Sequence, residues 1–452
     1  MSRNVFLKRE EKEAIGLLSI GTFLEYFDMM LYVHMSILLN TLFFPKTDPY
    51  TASLLSAFAF CSSYVFRPIG ALIFGYIGDH ISRKSTIVIT TMMMAMSCFI
   101  MSILPTYEQI GITASVMMIS CRILQSIAAT GELTGAQIYI TEMLKPPTSY
   151  IVVGCLTEAC LLGGTFALAI ATVVLKLQIN WRIIFLLGCI VALIGTAART
   201  RLKETIEFSN LKRRMKKVIE ESSANKLGNV AMALKRTTPI WKEQINWQTA
   251  LAYFIIYSGG PFCFYLSYIY SAQILKEKFH YPIEQIMIHN LKLSMLGFLS
   301  GVTLIILCKY INPLVLIRIR AAVFLLLLPF ISLFLSFTDS IAVFCVIQGI
   351  SIMFCLGALP AAPIFFRYFP ILRRFTYTSL LYSLSRAFMY SITSIGLVYI
   401  VNYWHKFGIL LIGLPITISF LWAVLYFEKL EQAVAAYKQN PKDAKALWAL
   451  HY

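Results

Sequence analysis

The chain has 452 residues, of which 58% are hydrophobic and 13% charged, and its mean hydropathy is +0.72. Soluble globular domains carry about 25% charged residues, so this composition excludes a water-soluble fold and leaves almost no room for a separate soluble domain. The net charge of +17 would be typical of a nucleic-acid-binding protein, but the basic residues flank apolar runs, which predicts membrane lipid as the partner and no nucleic acid.

Twelve apolar runs are long enough to cross a bilayer, which takes roughly 20 residues per helix. In lipid, the backbone N–H and C=O groups must be hydrogen-bonded within the protein, and a helix achieves this within one segment. We therefore predict an all-α membrane protein with twelve transmembrane helices in two six-helix bundles. The predicted spans are 15–44, 51–78, 85–104, 110–143, 150–175, 182–198, 248–275, 284–308, 314–337, 341–366, 375–401 and 407–427.

The amino-terminal residues 1–14 mix basic and acidic groups, which argues against a cleaved signal peptide. In the first span, Glu25, Asp28 and Tyr32 follow i, i+3, i+7 spacing and therefore share one helix face. Arg67 lies at a similar depth in the second span. An ionisable residue facing lipid unpaired costs roughly 2.5 to 3.5 kcal/mol, so we predict that these side chains face a polar cavity, with a static ion pair as the alternative.

Between the second and third spans, residues 75–84 read GYIGDHISRK. This stretch resembles the G-x-x-x-D-x-x-[GS]-R-[KR] signature of the major facilitator superfamily. The resemblance implies the major facilitator fold, in which this loop forms a cytoplasmic gate that stabilises the outward-open state. Small residues allow close helix approach, and Asp79 is expected to meet Arg83. The residues of this gate are Gly75, Gly78, Asp79, Arg83 and Lys84.

The fourth and fifth spans continue the polar pattern. Arg122, Gln125 and Glu132 lie on one stripe of the fourth span, and Arg122-Ile-Leu-Gln125 is similar to that superfamily's R-x-x-Q-G pattern. Glu158 lies inside the fifth span, where packing alone is as good an interpretation as function. We predict that these residues help to line the substrate and proton cavity.

The one long loop separates the two halves. We predict an N-terminal bundle over 1–199, a basic cytoplasmic linker over 200–247, a C-terminal bundle over 248–428 and a short cytoplasmic tail over 429–452. With both termini in the cytoplasm, about 29 of the 39 Lys and Arg residues fall in cytoplasmic segments, which satisfies the positive-inside rule. The linker is interpreted as a solvated segment near anionic lipid rather than a partner site.

The second half carries fewer intramembrane charges, and no acidic residue lies inside its predicted spans, since Glu284 is the first residue of the eighth. Lys292 either snorkels outward or serves an anionic substrate together with Arg67 and Arg386, and Arg386 lies deep in the eleventh span between Tyr382 and Tyr390. A stripe of aromatic residues in the seventh span would either surround a quaternary ammonium group or pack against neighbours. Its members are Tyr253, Tyr257, Phe264 and Tyr268.

Several stretches of the first half resemble the metabolite:proton symporter branch, and within it the proline/glycine-betaine transporters. They read GTFLEYFDMMLY, FRPIGALIFGYIGD, LPTYEQIGI, TGELTGAQIYITE, NWRIIFLLG and LKETIEF. The resemblance places Glu25, Asp28, Arg67 and Glu132 on charged positions typical of the family. The second half matches mainly through FRYFPILRRFTYTSLLY and lacks a second copy of the Gly-Asp-Arg loop.

The expected activity is proton-coupled uptake of a small zwitterionic osmolyte or amino acid, of the proline or betaine type, by alternating access. Alternatives are a facilitator or exchanger of an organic acid, and a membrane sensor that binds a ligand without transporting it. The ten cysteines show no CxxC spacing and no nucleophile–base grouping occurs, so we expect no enzyme, no metal and no cofactor. We also expect an inner-membrane monomer, with Asp28, then Glu25 and Glu132, as candidate proton carriers.

Overall fold

A computed structural model of the chain describes residues 7–45, 64–81, 83–129, 132–200, 245–371, 373–396, 400 and 408–439. Within these ranges every regular element is a helix. The helices of the first half are Arg9–Phe43, Arg67–His80, Arg83–Ile103, Tyr107–Ile110, Ile112–Ala128, Glu132–Met143, Thr148–Lys176 and Trp181–Arg199. The predicted linker and tail lie largely outside the described residues.

The second half begins with the helix Trp247–Phe264, which continues through a π-helical segment, Tyr265–Tyr270, into Ser271–Glu277. It then contains the helices Ile283–Leu307, Pro313–Phe337, Ile341–Met353, Ala362–Arg367 and Arg374–Ser391, the π-helical segment Ile392–Gly396, and the helix Gly408–Gln439. The last helix runs past the predicted end at residue 427, since residues 428–440 contain no proline or glycine.

Eight of the described helices are long and apolar enough to cross a membrane, and two shorter apolar helices, Trp181–Ala197 and Ile341–Met353, lie at other predicted spans. This agrees with the predicted all-helical architecture of twelve spans. The first part of the second span and the end of the eleventh fall outside the described residues.

Each half is held together by its own helix pairs. The first span packs along the fifth and the third along the sixth, while the seventh and ninth spans both pack along the twelfth. The first and fifth spans approach closely because a Cβ atom on Gly163 would collide with the backbone of Phe23. The two halves meet mainly where the second span contacts the eleventh and where the fifth contacts the eighth.

The tenth span is interrupted, although the sequence predicted a continuous helix over 341–366. The helix Ile341–Met353 stops, and a short helix begins again at Ala362. The intervening residues include Gly357 and Pro360, which disfavour a continuous helix. Irregular backbone at membrane depth is stable where it is buried in protein or lines a cavity, and residues 355–359 line one.

Candidate transport cavity

A cavity of about 310 Å³ lies between the two halves. Its walls come from the first, fourth and fifth spans on one side and from the seventh to eleventh spans on the other. A volume of this size suits a small metabolite. The cavity is therefore placed where motion of one half against the other would change access to it.

Tyrosines form much of the polar wall. The hydroxyl oxygens of Tyr26 and Tyr382 are 3.4 Å apart, so the first and eleventh spans touch across the cavity. The ring centroids of Tyr257 and Tyr382 are 5.2 Å apart in an edge-on arrangement. Of the predicted seventh-span stripe, Tyr257, Phe264 and Tyr268 line the cavity, whereas Tyr253 is buried against Tyr257 and Phe369. The wall thus combines aromatic faces with hydroxyl groups.

Arg386 supplies a positive charge to this wall. Its guanidinium carbon lies 4.5 Å from the ring centroid of Tyr382, and its buried Nε has no hydrogen-bond partner among the described residues. No carboxylate forms an ion pair with it in the part of the chain that the structure describes. A guanidinium held among tyrosines in this way is available to an anionic group of a ligand.

Glu158 supplies the opposite charge from the fifth span, about 15 Å along its helix at 1.5 Å per residue. The residue is 3% exposed, and within the described structure neither carboxylate oxygen has a hydrogen-bond partner. The side chain lies against Gly301 of the eighth span, where a Cβ atom would collide with it. Glu158 therefore lies in the cavity wall at the point where the two halves touch.

Arg320 joins the site from the ninth span, and sequence reasoning missed it. One of its terminal nitrogens donates to the backbone oxygen of Met353 at 3.2 Å and to Sγ of Cys355 at 3.4 Å. A cation at a helix C-terminus is favourable, so Arg320 stabilises the end of the interrupted tenth helix. The Gly and Pro residues of 357–363 were the sequence signal for this interruption.

The other predicted cavity residues form a separate polar cluster inside the first half. Arg122 lies 3.7 Å from the ring centroid of Tyr32 and donates to Oε1 of Gln125 at 2.9 Å. Asp28 lies against Gly188 of the sixth span, while the Arg67 guanidinium lies 4.5 Å from the ring centroid of Tyr64.

Glu25 is also buried, at 4% exposure, whereas the side chain of Glu132 lies outside the described residues. Of the described residues predicted to line the substrate and proton cavity, Glu158 and Arg386 line the cavity between the halves, together with Tyr257, Phe264 and Tyr268 of the aromatic stripe. A role for the first-half cluster in substrate or proton binding stays a prediction. Lys292 is exposed, and its snorkelling stays a prediction.

Three of the five predicted gate residues, Gly75, Gly78 and Asp79, make contact across the two halves, and we call this contact the latch. The carboxylate of Asp79 accepts hydrogen bonds from the backbone N–H groups of Phe375 and Thr376 at 3.2 and 2.8 Å, and from the Thr376 hydroxyl at 2.7 Å. These N–H groups begin a helix and have no intrahelical acceptor, so the carboxylate satisfies them and complements the helix dipole. The side chain of Arg83, the expected partner, lies outside the described residues, and Lys84 is half-buried.

Two further features complete the latch. A Cβ atom on Gly75 would lie 2.7 Å from Cα of Thr376, and one on Gly78 would lie 3.2 Å from the Phe375 ring, so the second and eleventh spans need glycine to approach this closely. Beside them, Arg374 and Glu142 form a buried ion pair with an N–O distance of 3.0 Å. Sequence reasoning missed this pair, whose members lie in different halves.

A second set of charges lies near the same end of the molecule. Arg318 pairs with Glu428 at 2.7 Å, and Arg367 donates to Tyr150 of the fifth span at 3.1 Å. Burial and the nearby carboxylate of Glu431 raise the pKa of Tyr368, whose hydroxyl donates to Glu431 at 2.8 Å. The hydroxyl therefore stays protonated over the physiological range.

Two helical halves around a central cavity, joined by a polar latch at one end, define a secondary transporter of the membrane. Residues 18–365 match the family described as Major Facilitator Superfamily, and the chain belongs to that family. It is a multi-pass membrane protein and a transporter rather than an enzyme.

Several proteins that are similar in sequence to this chain are named after a substrate. The proline/betaine transporters of Escherichia coli K12 and Salmonella typhimurium are each 31% identical to it over 205 residues, which is 44% of this chain and 41% of each relative. The match thus spans less than half the length of these relatives.

Solved structures share the fold. The proton:xylose symporter XylE bound to 6-bromo-6-deoxy-D-glucose superimposes with a TM-score of 0.72 at 13% identity, over 92% of this chain and 95% of that chain. The human organic anion transporter MFSD10 superimposes with a TM-score of 0.65 at 13% identity, over 93% and 100%. At this identity the likeness concerns the fold alone.

Proposed function

We propose that the protein couples proton entry to uptake of a small zwitterionic osmolyte or amino acid, of the proline or betaine type, by alternating access of its two halves. The observation that carries this proposal is a tyrosine-lined cavity to which one half contributes the guanidinium of Arg386 and the other half the carboxyl group of Glu158. Neither forms an ion pair with a described residue. A zwitterion complements such a wall, because Arg386 would bind its carboxylate and the tyrosine rings would face its cationic group.

The tyrosines support the cationic end of such a ligand. An ammonium or quaternary ammonium group is attracted to the face of an aromatic ring, and Tyr26, Tyr257 and Tyr382 lie together at the cavity. The carboxylate end would be bound by the fork of Arg386, which matches its geometry. The names of the relatives are in line with a substrate of this kind.

A second candidate is an exchanger of an organic acid. The cavity holds two guanidinium groups, Arg320 and Arg386, against the one carboxylate of Glu158, and this excess favours an anion. Arg320, however, already donates to Met353 and Cys355, and Lys292 is exposed. The zwitterion therefore stays the first proposal. In either case we propose a monomer in the inner membrane with both termini cytoplasmic and without a cofactor, and the proton gradient drives transport in the first proposal.

The test uses purified protein in liposomes with labelled proline, glycine betaine and a dicarboxylate, with and without a pH step. Accumulation of a zwitterion that depends on an inward proton gradient is expected. Dicarboxylate exchange whose rate does not depend on the pH step would favour the second candidate. Binding of a ligand without flux would instead support a sensor and contradict transport.

Replacing Arg386 tests the ligand geometry. Arg386→Lys keeps the charge but loses the bidentate fork, so the affinity for the transported zwitterion should fall about tenfold, which is roughly 1.4 kcal/mol. The measurement is a binding isotherm on reconstituted protein. Arg67→Lys is the matched variant, because it makes the same change in the first-half cluster. It tests whether Arg67 also binds the carboxylate of the ligand. Unchanged affinity in both variants would remove the arginines from the site.

A further inference from the structure

The fifth and eighth spans form a seam between the two halves, defined by three levels of contact. A Cβ atom on Gly154 would lie 2.8 Å from Cγ1 of Ile305, Glu158 lies against Gly301, and the hydroxyls of Thr165 and Ser294 are 2.5 Å apart. The seam joins helices that belong to different halves. Alternating access must therefore separate or slide these helices in every cycle.

Glu158 occupies the middle of this seam without a hydrogen bond or an ion pair to any described residue. Both of its carboxylate oxygens are inaccessible to solvent, and neither has a hydrogen-bond partner among the described residues. Gly301 fills the space beside them so closely that a single methyl group would not fit there. No metabolite can reach these oxygens in this conformation, so the one ligand that fits is a proton.

While the seam is closed, Glu158 has no hydrogen bond and no ion pair among the described residues, and the favourable charge near it is that of Arg320, which acts from a distance. Residues 293–307 of the eighth span contain no ionisable side chain, and Cys155 is one turn away on the same helix. Other spans contribute His34, Tyr257, Arg320, Cys355 and Arg386 to the same cavity. Arg320 is the cation on the neighbouring ninth span, but it donates to Met353 and Cys355 rather than to Glu158.

A buried carboxylate without a counter-ion is far more costly than a buried carboxylic acid. Closure of the seam therefore favours the protonated form of Glu158. Separation of the spans would admit water and let Arg320 approach, which favours the anion. Proton binding and seam closure are linked in this way, and each stabilises the other.

Asp28 differs in this respect. Its carboxylate lies against Gly188, which belongs to the same half. A group enclosed within one half keeps its surroundings when the halves move as rigid bodies. The environment of Glu158, in contrast, changes when the seam opens or closes. Coupling of proton binding to the conformational change requires such a difference.

We propose that Glu158 is the proton-binding site of the transport cycle, protonated while the seam is closed and deprotonated with Arg320 as its counter-ion when the fifth and eighth spans separate. The proton enters from the side of higher proton activity, binds one carboxylate oxygen and leaves to water on the other side. This proposal rests on the proposed proton coupling, but the proton site itself can be observed without any substrate.

The experiment is infrared difference spectroscopy of the full-length protein in liposomes during a pH titration without substrate. The carbonyl stretch of a protonated carboxylic acid should be present in the unaltered protein and vanish as the pH rises. Glu158→Gln should lose this band, whereas Asp28→Asn and the exposed control Glu284→Gln should retain it. A band that persists in Glu158→Gln, or that is lost in Asp28→Asn instead, would overturn the proposal.

A second variant guards against misfolding of the first. Gly301→Ala keeps the carboxyl group of Glu158 but displaces it from its position in the seam, so the band should titrate at a different pH. An unshifted band would show that contact with the seam does not cause the protonation of Glu158.

In transport assays, Glu158→Gln should lose proton-driven accumulation while retaining counterflow. If no substrate of the panel is transported but the band is lost in Glu158→Gln, the proposed function fails and the proton site stands.

Discussion

The latch and the seam join the same two halves by different means. In the latch, Asp79 accepts three hydrogen bonds from the start of the eleventh span, and Glu142 forms an ion pair with Arg374. In the seam, the contacts are close packing and one pair of hydroxyls, and the carboxylate of Glu158 has no hydrogen-bond partner among the described residues. The latch thus uses charges that are compensated in place, whereas the seam contains a charge that only a proton removes.

This difference separates two tasks of a transporter. Compensated charges give a contact whose strength changes little with pH, which suits a gate that must close in every cycle. An uncompensated titratable group makes closure depend on proton activity, which suits energy coupling. The following variants test whether the two contacts are indeed independent in this way.

The largest effect is expected for Glu142→Gln. It leaves the guanidinium of Arg374, which is 7% exposed, without its partner carboxylate, and breaking a buried pair in this way costs about 3 to 5 kcal/mol. The latched state should lose more than about a hundredfold in population relative to the open one. Faster hydrogen exchange of the amides at the start of the eleventh span reports this loss.

The control for this variant is Glu284→Gln, which makes the same change at an exposed position in the first turn of the eighth span. It should leave exchange at the latch unchanged. Exchange in Glu142→Gln equal to that of the control would show that the ion pair does not stabilise the latch.

A smaller effect is expected for Asp79→Asn. The amide keeps one acceptor oxygen but loses the charge, and charge-assisted hydrogen bonds are roughly twice as strong as neutral ones. A loss of about 1 to 2 kcal/mol should shift the latch about tenfold and lower the initial uptake rate while the protein stays folded. Asp339→Asn is the control, because Asp339 is exposed and pairs with Lys278 away from the latch. Normal uptake by a well-expressed Asp79→Asn protein would contradict the role of the latch.

The smallest effect is expected for Thr165→Val in the seam. It removes the contact with the Ser294 hydroxyl, which is worth about 1 kcal/mol, so uptake should change less than tenfold and by a similar factor at each pH. Thr172→Val is the matched control on the same helix, since the Thr172 hydroxyl donates to the backbone oxygen of Leu168 in its own helix. A large effect of Thr165→Val that varies with pH would mean that this hydroxyl pair, and not Glu158 alone, carries the proton dependence of the seam.

The sequence by itself determined the positions of the spans and the class of protein. Apolar runs of membrane length are a local property, because each helix satisfies its own backbone in lipid. The GYIGDHISRK stretch likewise identified the family and marked Gly75, Gly78 and Asp79 as contact residues. The structure agrees with close approach at both glycines, but it gives Asp79 the eleventh span as a partner, almost 300 residues later in the chain.

Only the tertiary structure decided which intramembrane charges share the central cavity. Spacing showed that Glu25, Asp28 and Tyr32 lie on one helix face, but a helix inside a bundle has neighbours on several sides, and the spacing does not say which of them that face meets. Packing turned Asp28 toward Gly188 within its own half and brought Glu158 and Arg386 together from spans five and eleven. It also introduced Arg320 through the interruption of the tenth helix. These placements depend on contacts between distant segments, and the local pattern of one helix does not encode them.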